Sequence, residues 1–501
     1  MSEVISEHLF IFPFSWKSRK ANADPLFKQH NQIKRKQFGR LGHWREHLST
    51  IETAEDYNEY VYFYKSIRMA LYTFAGKPVI VRNYIYEDFD ETASLEMTIN
   101  HTTYILEINR IDLKVYKTGI GLLSFNVLNS RYEEEEAIRQ INTFSCCVYP
   151  PIMPIERARQ RGFPEKIVLT LNKGLKIEED FTHIQYGETL MISSLIMKVL
   201  GEPFINKINL KSTKEGLLIE PILGHQMFCC CMYYVPGLLG EVTNEKTIEE
   251  NIAHLMHIHY TDVGKLKGEG EAITPYYIKS GNHVYGMNRR MLFGLLEEYP
   301  CEKLYDQLVK LVLMQRATLL NLSSEIARVS TLPKSEISSA ISSIYEIYIQ
   351  FINQLYFKEV TEDGEGSMLY AQLSKIFMIE DELNQLNSEV DEVHEYASLV
   401  EQAASNFKVQ LLTIIGAALV LPSFVTGFFG MNIFQEEAAH WWRHYPVALW
   451  LNSYVILPIL AVVAICTWTK RRTVLARLLK VLLAIFLITS LSFAIKFGSG
   501  L

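Results

Sequence analysis

Residues 409–432 read VQLLTIIGAALVLPSFVTGFFGMN, and this stretch decides the architecture. From Val409 to Phe429 there are 21 residues without a charge. At about 1.5 Å per residue, a helix of that length spans a hydrocarbon core of roughly 30 Å. It closes on Gly430-Met431-Asn432, a polar cap where an ion pathway would place its first contact with a cation. A second charge-free run covers Tyr445 to Thr469. Together they predict a first transmembrane helix at 409–432, an external loop at 433–444 and a second transmembrane helix at 445–469.

Loop charges orient the pair. Lys470, Arg471, Arg472, Arg477 and Lys480 follow the second span, whereas the connection between spans holds Arg443 against Glu436 and Glu437. Positive residues favour the cytoplasmic side, so the short connection is expected outside and the large N-terminal region in the cytosol. A further apolar stretch, 473–496, has an uncharged core of 15 residues from Val481 to Ile495. That length fits either a third span with snorkelling ends or an interfacial helix.

The 501 residues leave ample chain upstream of these spans for one large or two modest domains with real cores. A formal charge of −7 excludes a broadly basic nucleic-acid binder and fits a protein that handles cations. Seven cysteines include the adjacent sets Cys146-Cys147 and Cys229-Cys230-Cys231, with no CxxC pair. Adjacent cysteines make poor disulfide frameworks, so they are expected to be reduced and buried.

Residues 1–300 predict an α+β domain. His8 to Phe14 is too short for a signal peptide and reads as a first strand. Lys77 to Tyr86 suggests a strand, and Ser94 to Asn129 a meander. There Ile111, Leu113 and Val115 alternate with Asp112, Lys114 and Tyr116, and Leu123, Phe125 and Val127 follow a turn at Thr118-Gly119. Glu133 to Glu136 opens a helix, and Met227 to Tyr234 suits another strand. Residues 301–366 predict helices at Glu302 to Val329 and Lys334 to Lys358, ending in a hinge at Thr361 to Ser367, TEDGEGS.

A stalk helix is predicted at 367–408. Ile376, Ile379, Leu383, Leu386, Val390, Val393, Ala397, Val400, Ala404 and Phe407 alternate at three- and four-residue spacing. The register continues through Leu411 and Ile414, which predicts one unbroken rod roughly 90 Å long, packed lengthwise on other helices. Between Lys375 and Lys408 there is no Lys or Arg, while Glu389, Asp391, Glu392 and Glu395 are among eight acidic side chains. They form either a solvated face or carboxylates on clustered stalks that repel until a cation bridges them.

The segment VQLLTIIGAALVLPSFVTGFFGMN, preceded by this acidic stalk and followed by a second span, resembles the CorA family of divalent-cation channels over residues 368–470. That resemblance implies a CorA-like homopentameric funnel: an α+β cytosolic domain, a long stalk helix and C-terminal transmembrane helices in the cell inner membrane. Mg²⁺ would be the transported and regulatory cation. The family motif in register places Val409, Leu412, Gly416, Val420, Ser423 and Gly427 along the pore, with Gly430, Met431 and Asn432 as the selectivity motif. Asn432 would present a ring of amide oxygens to Mg²⁺ in its water shell, and Val409, Leu412 and Val420 would close by dewetting. Three departures stand out: Gln435-Glu436-Glu437 and Trp441-Trp442 in the external loop, Phe429 in place of the family's usual Tyr, and the third apolar stretch. Glu436 and Glu437 would still attract cations to the mouth, and the Trp pair suits an interfacial anchor. The large N-terminal region, through HLFIFPFSW and KVYKTGIGLLSF, also resembles the divergent CorA-like proteins associated with type III CRISPR systems, which implies a membrane effector of antiviral defence opened by a nucleotide second messenger. A receptor that uses its spans only as an anchor is the third reading.

Other clusters have bland and specific readings side by side. Arg157, Arg159 and Arg161, and separately Arg289 and Arg290 beside His283 and Tyr285, would hold a phosphate-bearing nucleotide ligand, or are solvated positive patches. His254, His257 and His259 have metal-ligand character but lack a partner carboxylate or cysteine pattern. A second copy of the tripeptide, Gly286-Met287-Asn288, precedes Arg289-Arg290 in polar sequence and reads as chance. No nucleophile–base arrangement or P-loop is present, so the sequence makes no case for an enzyme.

Overall fold

A computed structural model describes residues 4–18, 40–74, 79–87, 90, 92–149, 163–172, 174–182, 192–206, 216–224, 226–235, 245–256, 275–297 and 304–430, with positions 484, 488, 491, 492 and 495 beyond. The chain divides into two compact units, residues 1–393 and 394–501.

In the first unit, fifteen strands among the described residues form one mixed sheet. They are β1 (Ser6–Ser18), β2 (Arg40–Leu41), β3 (Trp44–Glu46), β4 (Val81–Tyr86), β5 (Ser94–Ile99), β6 (Thr102–Tyr116), β7 (Ile120–Asn129), β8 (Lys166–Asn172), β9 (Leu175–Asp180), β10 (Phe204–Asn206), β11 (Leu217–Pro221), β12 (Phe228–Tyr234), β13 (Tyr276–Ser280), β14 (His283–Met287) and β15 (Met291–Leu296). The main path runs β13-β14-β15-β12-β1-β7-β6-β4-β3-β2, with β5, β8 and β9 extending from β6. Its pairs are antiparallel except β12–β15 and β10–β11. The expected meander is present as β5, β6 and β7. Its last turn uses Gly119 at φ +85°, where a side chain would be strained. Pro13 falls between the part of β1 that pairs with β12 and the part that pairs with β11, where a missing N–H costs little.

Nine α-helices among the described residues accompany the sheet: α1 (Ala54–Tyr62), α2 (Lys65–Leu71), α3 (Glu135–Asn142), α4 (Ser194–Leu200), α5 (Glu245–Met256), α6 (Leu304–Val329), α7 (Lys334–Gln354), α8 (Gly364–Ile376) and α9 (Ile379–Gly430). The main core takes Phe10, Phe12 and Phe14 of β1 with Leu113, Val115, Phe125 and Val127 of the meander. Cys146, Cys147, Cys229, Cys230 and Cys231 are buried free thiols, and burial pushes each of them up in pKa. That agrees with the reduced state expected from their spacing.

The polar half of the β6 alternation does not face water. Asp112, Lys114 and Tyr116 are buried, and α6 lies across that side of the sheet against β1 and β7. Lys310 of α6, 1 % exposed, donates to both carboxylate oxygens of Asp112 at 2.9 and 3.0 Å and to Asp306 at 3.2 Å. Arg110 bonds Asp112 at 3.1 Å and pairs with Asp306. Burial alone would push the Asp112 carboxyl up, but Lys310 and Arg110 outweigh it and hold it below the usual range. Farther along, Thr118 meets Thr318 at 3.2 Å and Lys17 pairs with Glu325.

Two expectations need correction. The TEDGEGS segment is no hinge. Thr361 donates to the Tyr62 carbonyl at 2.7 Å, and Asp363 caps α8 by accepting from Gly366 N–H at 2.7 Å. A Cβ on Gly366 would lie 1.9 Å from the Tyr62 hydroxyl, so this glycine serves close packing rather than freedom. The stalk is also not one rod from residue 367. It breaks between α8 and α9, where Met378 takes φ +53° and its N–H returns to the Lys375 carbonyl at 3.0 Å. The apolar seam runs across this break because Ile376, Ile379, Leu383, Leu386, Val390 and Ala397 are all buried. Hydrophobic spacing therefore persisted through a turn that changes the backbone.

Replacing Lys310 by Met should destabilise the protein by about 3–5 kcal/mol, because it strands two buried carboxylates on Arg110 alone. Denaturant unfolding measures this, and Lys310→Met combined with Asp112→Leu should recover most of the loss. A single-variant change below about 1 kcal/mol would mean that this ion pair does not hold α6.

Candidate functional site

The segment that resembles a pore lies in the last part of α9. On an ideal helix, Val409, Leu412, Gly416, Val420, Ser423 and Gly427 fall within an arc of about 80°. All six are exposed on this chain. Val409, Leu412 and Val420 are 58 %, 72 % and 64 % exposed, more than Ile414 and Ile415 at 41 % and 42 %. Other described positions of the same stretch, Gln410, Thr413, Ile414, Ile415 and Leu419 among them, are exposed as well. Added Cβ atoms on Gly416 and Gly427 would meet open space. Among the described residues, no helix is long and apolar enough to cross a membrane. Ten side chains between residues 417 and 430 lie outside the described set.

Gly430 is the last residue of α9. Met431, Asn432, the loop 433–444 with Glu436 and Glu437, and the span 445–469 lie outside the described residues, as do Arg157, Arg159, Arg161, His257 and His259. His254 stands in the last turn of α5. The second tripeptide copy has a structural explanation. A Cβ on Gly286 would lie 2.5 Å from Ile252 and 2.6 Å from Met256, so the glycine lets α5 pack on β14. Asn288 closes the following turn by accepting from Arg290 and Met291 N–H at 2.8 and 2.9 Å.

The acidic stalk separates into different environments. Glu389 is half-buried and accepts from Ser323 at 3.0 Å and Gln385 at 2.9 Å. Asp391, Glu392 and Glu395 are exposed. Among the described residues, no group of three or more His, Cys, Asp or Glu side chains is arranged to hold a metal ion. Within the first unit, α9 starts against its neighbours through Arg316–Glu382 at 2.7 Å and a Tyr348 hydroxyl bond to Asn387.

Sequence spacing did not reveal two arrangements at the ends of α8. At its start, Glu365 accepts from Tyr305 at 2.6 Å and from Tyr285, with His283 at 3.3 Å. Burial would raise this carboxyl, yet Tyr285, Tyr305, Ser280 and His283 together hold it below the usual range. At its end, Arg289 donates to the Ile376 carbonyl at 3.2 Å and to the Met378 sulfur at 3.0 Å. Phe377 packs on Phe228 with ring centroids 5.8 Å apart. Arg289 is therefore already engaged at the α8–α9 joint, and Arg289 and Arg290 both border a cavity with Gln226. These contacts join residues far apart in the chain, so local patterning carries no signal for them.

In comparison with known proteins, residues 310–471 match the family model described as CorA-like Mg²⁺ transporter protein. The match begins at Lys310 and reaches through both charge-free runs, covering roughly a third of the chain. No curated protein and no solved structure matches.

The Glu365 cluster sets a sign for acid stability. A carboxyl depressed in the folded state stabilises the fold above its unfolded pKa of about 4.3, and the contribution is lost as pH falls through the lower folded value. Glu365→Gln should therefore flatten the stability profile below pH ~4.5 and lower stability near neutrality. Urea unfolding from pH 3 to 7 measures it; parallel profiles for wild type and variant would contradict the assignment.

Proposed function

We propose, for a chain whose residues 310–471 match the model of CorA-like Mg²⁺ transporter proteins, a passive divalent-cation channel built from several copies of α9. The observation that carries this reading is positional. The family match contains a helix that ends at Gly430 of Gly-Met-Asn, and the residues expected along the axis are among those exposed on it. Glycine inside a helix costs about 1 kcal/mol relative to alanine. Among the described residues, nothing lies close enough to Gly416 or Gly427 to require glycine there. Neighbouring copies, or a narrow lumen, would supply the requirement.

In this reading the charge-free runs at 409–429 and 445–469 cross the inner membrane, and five copies enclose the path. The Asn432 amides hold hydrated Mg²⁺ at the outer mouth, where neutral oxygens accept from its water shell without stripping it. Glu436 and Glu437 raise the local cation concentration. Val409, Leu412 and Val420 form rings that close by dewetting. Ions move down their electrochemical gradient. The first unit acts as the cytosolic sensor, and Asp391, Glu392 and Glu395, which are exposed on one chain, are the carboxylates through which a bound cation would oppose stalk repulsion.

Full-length protein in liposomes loaded with a Mg²⁺-sensitive dye tests this. Wild type should give a Mg²⁺ influx, Asn432→Ala should lose most of it, and Leu412→Asn should leak at a closed-state Mg²⁺ concentration. Equal flux from wild type, Asn432→Ala and empty liposomes would reject the channel.

A further inference from the structure

A cavity of about 250 Å³ lies beside the ion pairs that hold α6, between β4, β6, α1 and the segment after α2. Its walls contain three carboxylates and three cationic groups, and their partners do not balance. Asp112 is engaged by Lys310 and Arg110. Glu59 accepts from Tyr72 at 2.9 Å and Gln307 at 3.3 Å. Asp56 accepts from the N–H groups of Thr53 and Glu52 at 3.0 and 3.3 Å.

Lys114 differs. It is 5 % exposed, and its ammonium donates to a backbone oxygen, Leu71 O, at 2.8 Å. Among the described residues no carboxylate lies within ion-pair distance of it. Burial and then Lys310 lower its pKa to about 7, against the opposing pull of Asp112, Glu59 and Asp306, none of which reaches it as an ion pair. Two buried amide oxygens on the same walls also lack a donor. Asn83, opposite Lys114 in the β4–β6 register, spends its NH₂ on Leu71 O at 3.0 Å and leaves Oδ1 unpaired. Gln307 spends its NH₂ on Glu59 and leaves Oε1 unpaired. Both side chains are more than nine-tenths buried, where an unsatisfied polar atom is costly.

We propose that this cavity binds a small oxyanion carrying hydroxyl or amino donors, with the anionic group on Lys114 and the donors on Asn83 Oδ1 and Gln307 Oε1. A phosphomonoester of a short polyol has the required charge and donors. The cavity exceeds what inorganic phosphate alone fills, leaving room for the hydroxyl-bearing arm. The site is independent of ion conduction and is read by binding alone.

Isothermal titration of the full-length protein in nanodiscs with glycerol 3-phosphate, and with glycerol as the uncharged control, tests it. Saturable binding of glycerol 3-phosphate and none of glycerol is expected. Lys114→Met should bind roughly ten- to hundred-fold more weakly, the loss expected of a charge-assisted hydrogen bond. Asn83→Asp, which gives Lys114 an internal carboxylate at the cost of the hydrogen bond from the Asn83 amide to Leu71 O, should weaken binding similarly and carries the comparison if Lys114→Met does not fold. Absence of saturable binding for both glycerol 3-phosphate and inorganic phosphate, or equal affinity in wild type and both variants, would overturn the site.

Discussion

The first unit depends on one buried ion-pair arrangement. Lys310, Asp112, Arg110 and Asp306 join α6 to a face of the sheet that would otherwise present charge to the interior. Desolvating such groups is expensive, and only mutual pairing in good geometry offsets it. Their placement therefore fixes where α6 lies along β6. A shift of one helical turn would leave at least one charge without its partner. Apolar packing alone would tolerate such a shift far better.

Because α6 is fixed, the helices that pack on it are fixed in turn. Gln315 reaches the Leu355 carbonyl at 2.9 Å and Tyr370 at 3.0 Å, tying α6 to the end of α7 and to α8. Arg316 and Ser323 then hold Glu382 and Glu389 at the start of α9. Arg289, at the β14–β15 turn, holds the carbonyl before the left-handed Met378. The helix that carries the candidate pore face thus begins at a joint gripped by the sheet on one side and by α6 on the other. In the proposed channel, a change in the first unit would reach the pore helix through these contacts.

Short-range patterns in the sequence disclosed much of this. The meander, the first strand and the helices at 304–329 and 334–354 follow from period-2 and period-3.6 spacing, whose physical cause is local. The buried cysteines follow from their adjacency. Residues that gain meaning only from distant partners stayed hidden. Nothing in the spacing of Lys310 and Asp306 marks them as buried, and Asp112 and Lys114 alternate with apolar residues as the solvent-facing half of a strand would. TEDGEGS read as a hinge because glycine signals freedom and close packing alike. The break at Phe377-Met378 escaped notice because the apolar seam continues across it. The proposed pore face came from the family resemblance of residues that share one helix, whereas the Lys114 cavity needed four elements brought together.

The central claim is that several copies of α9 surround a water-filled path with Asn432 at its outer entrance. Single-particle imaging of the full-length protein in a lipid nanodisc tests it most directly. The account predicts a five-fold ring whose axis is lined by Val409, Leu412, Gly416, Val420, Ser423 and Gly427, with Asn432 turned inward. Monomeric particles, or a ring with those residues facing lipid and Asn432 turned away from the axis, would contradict it.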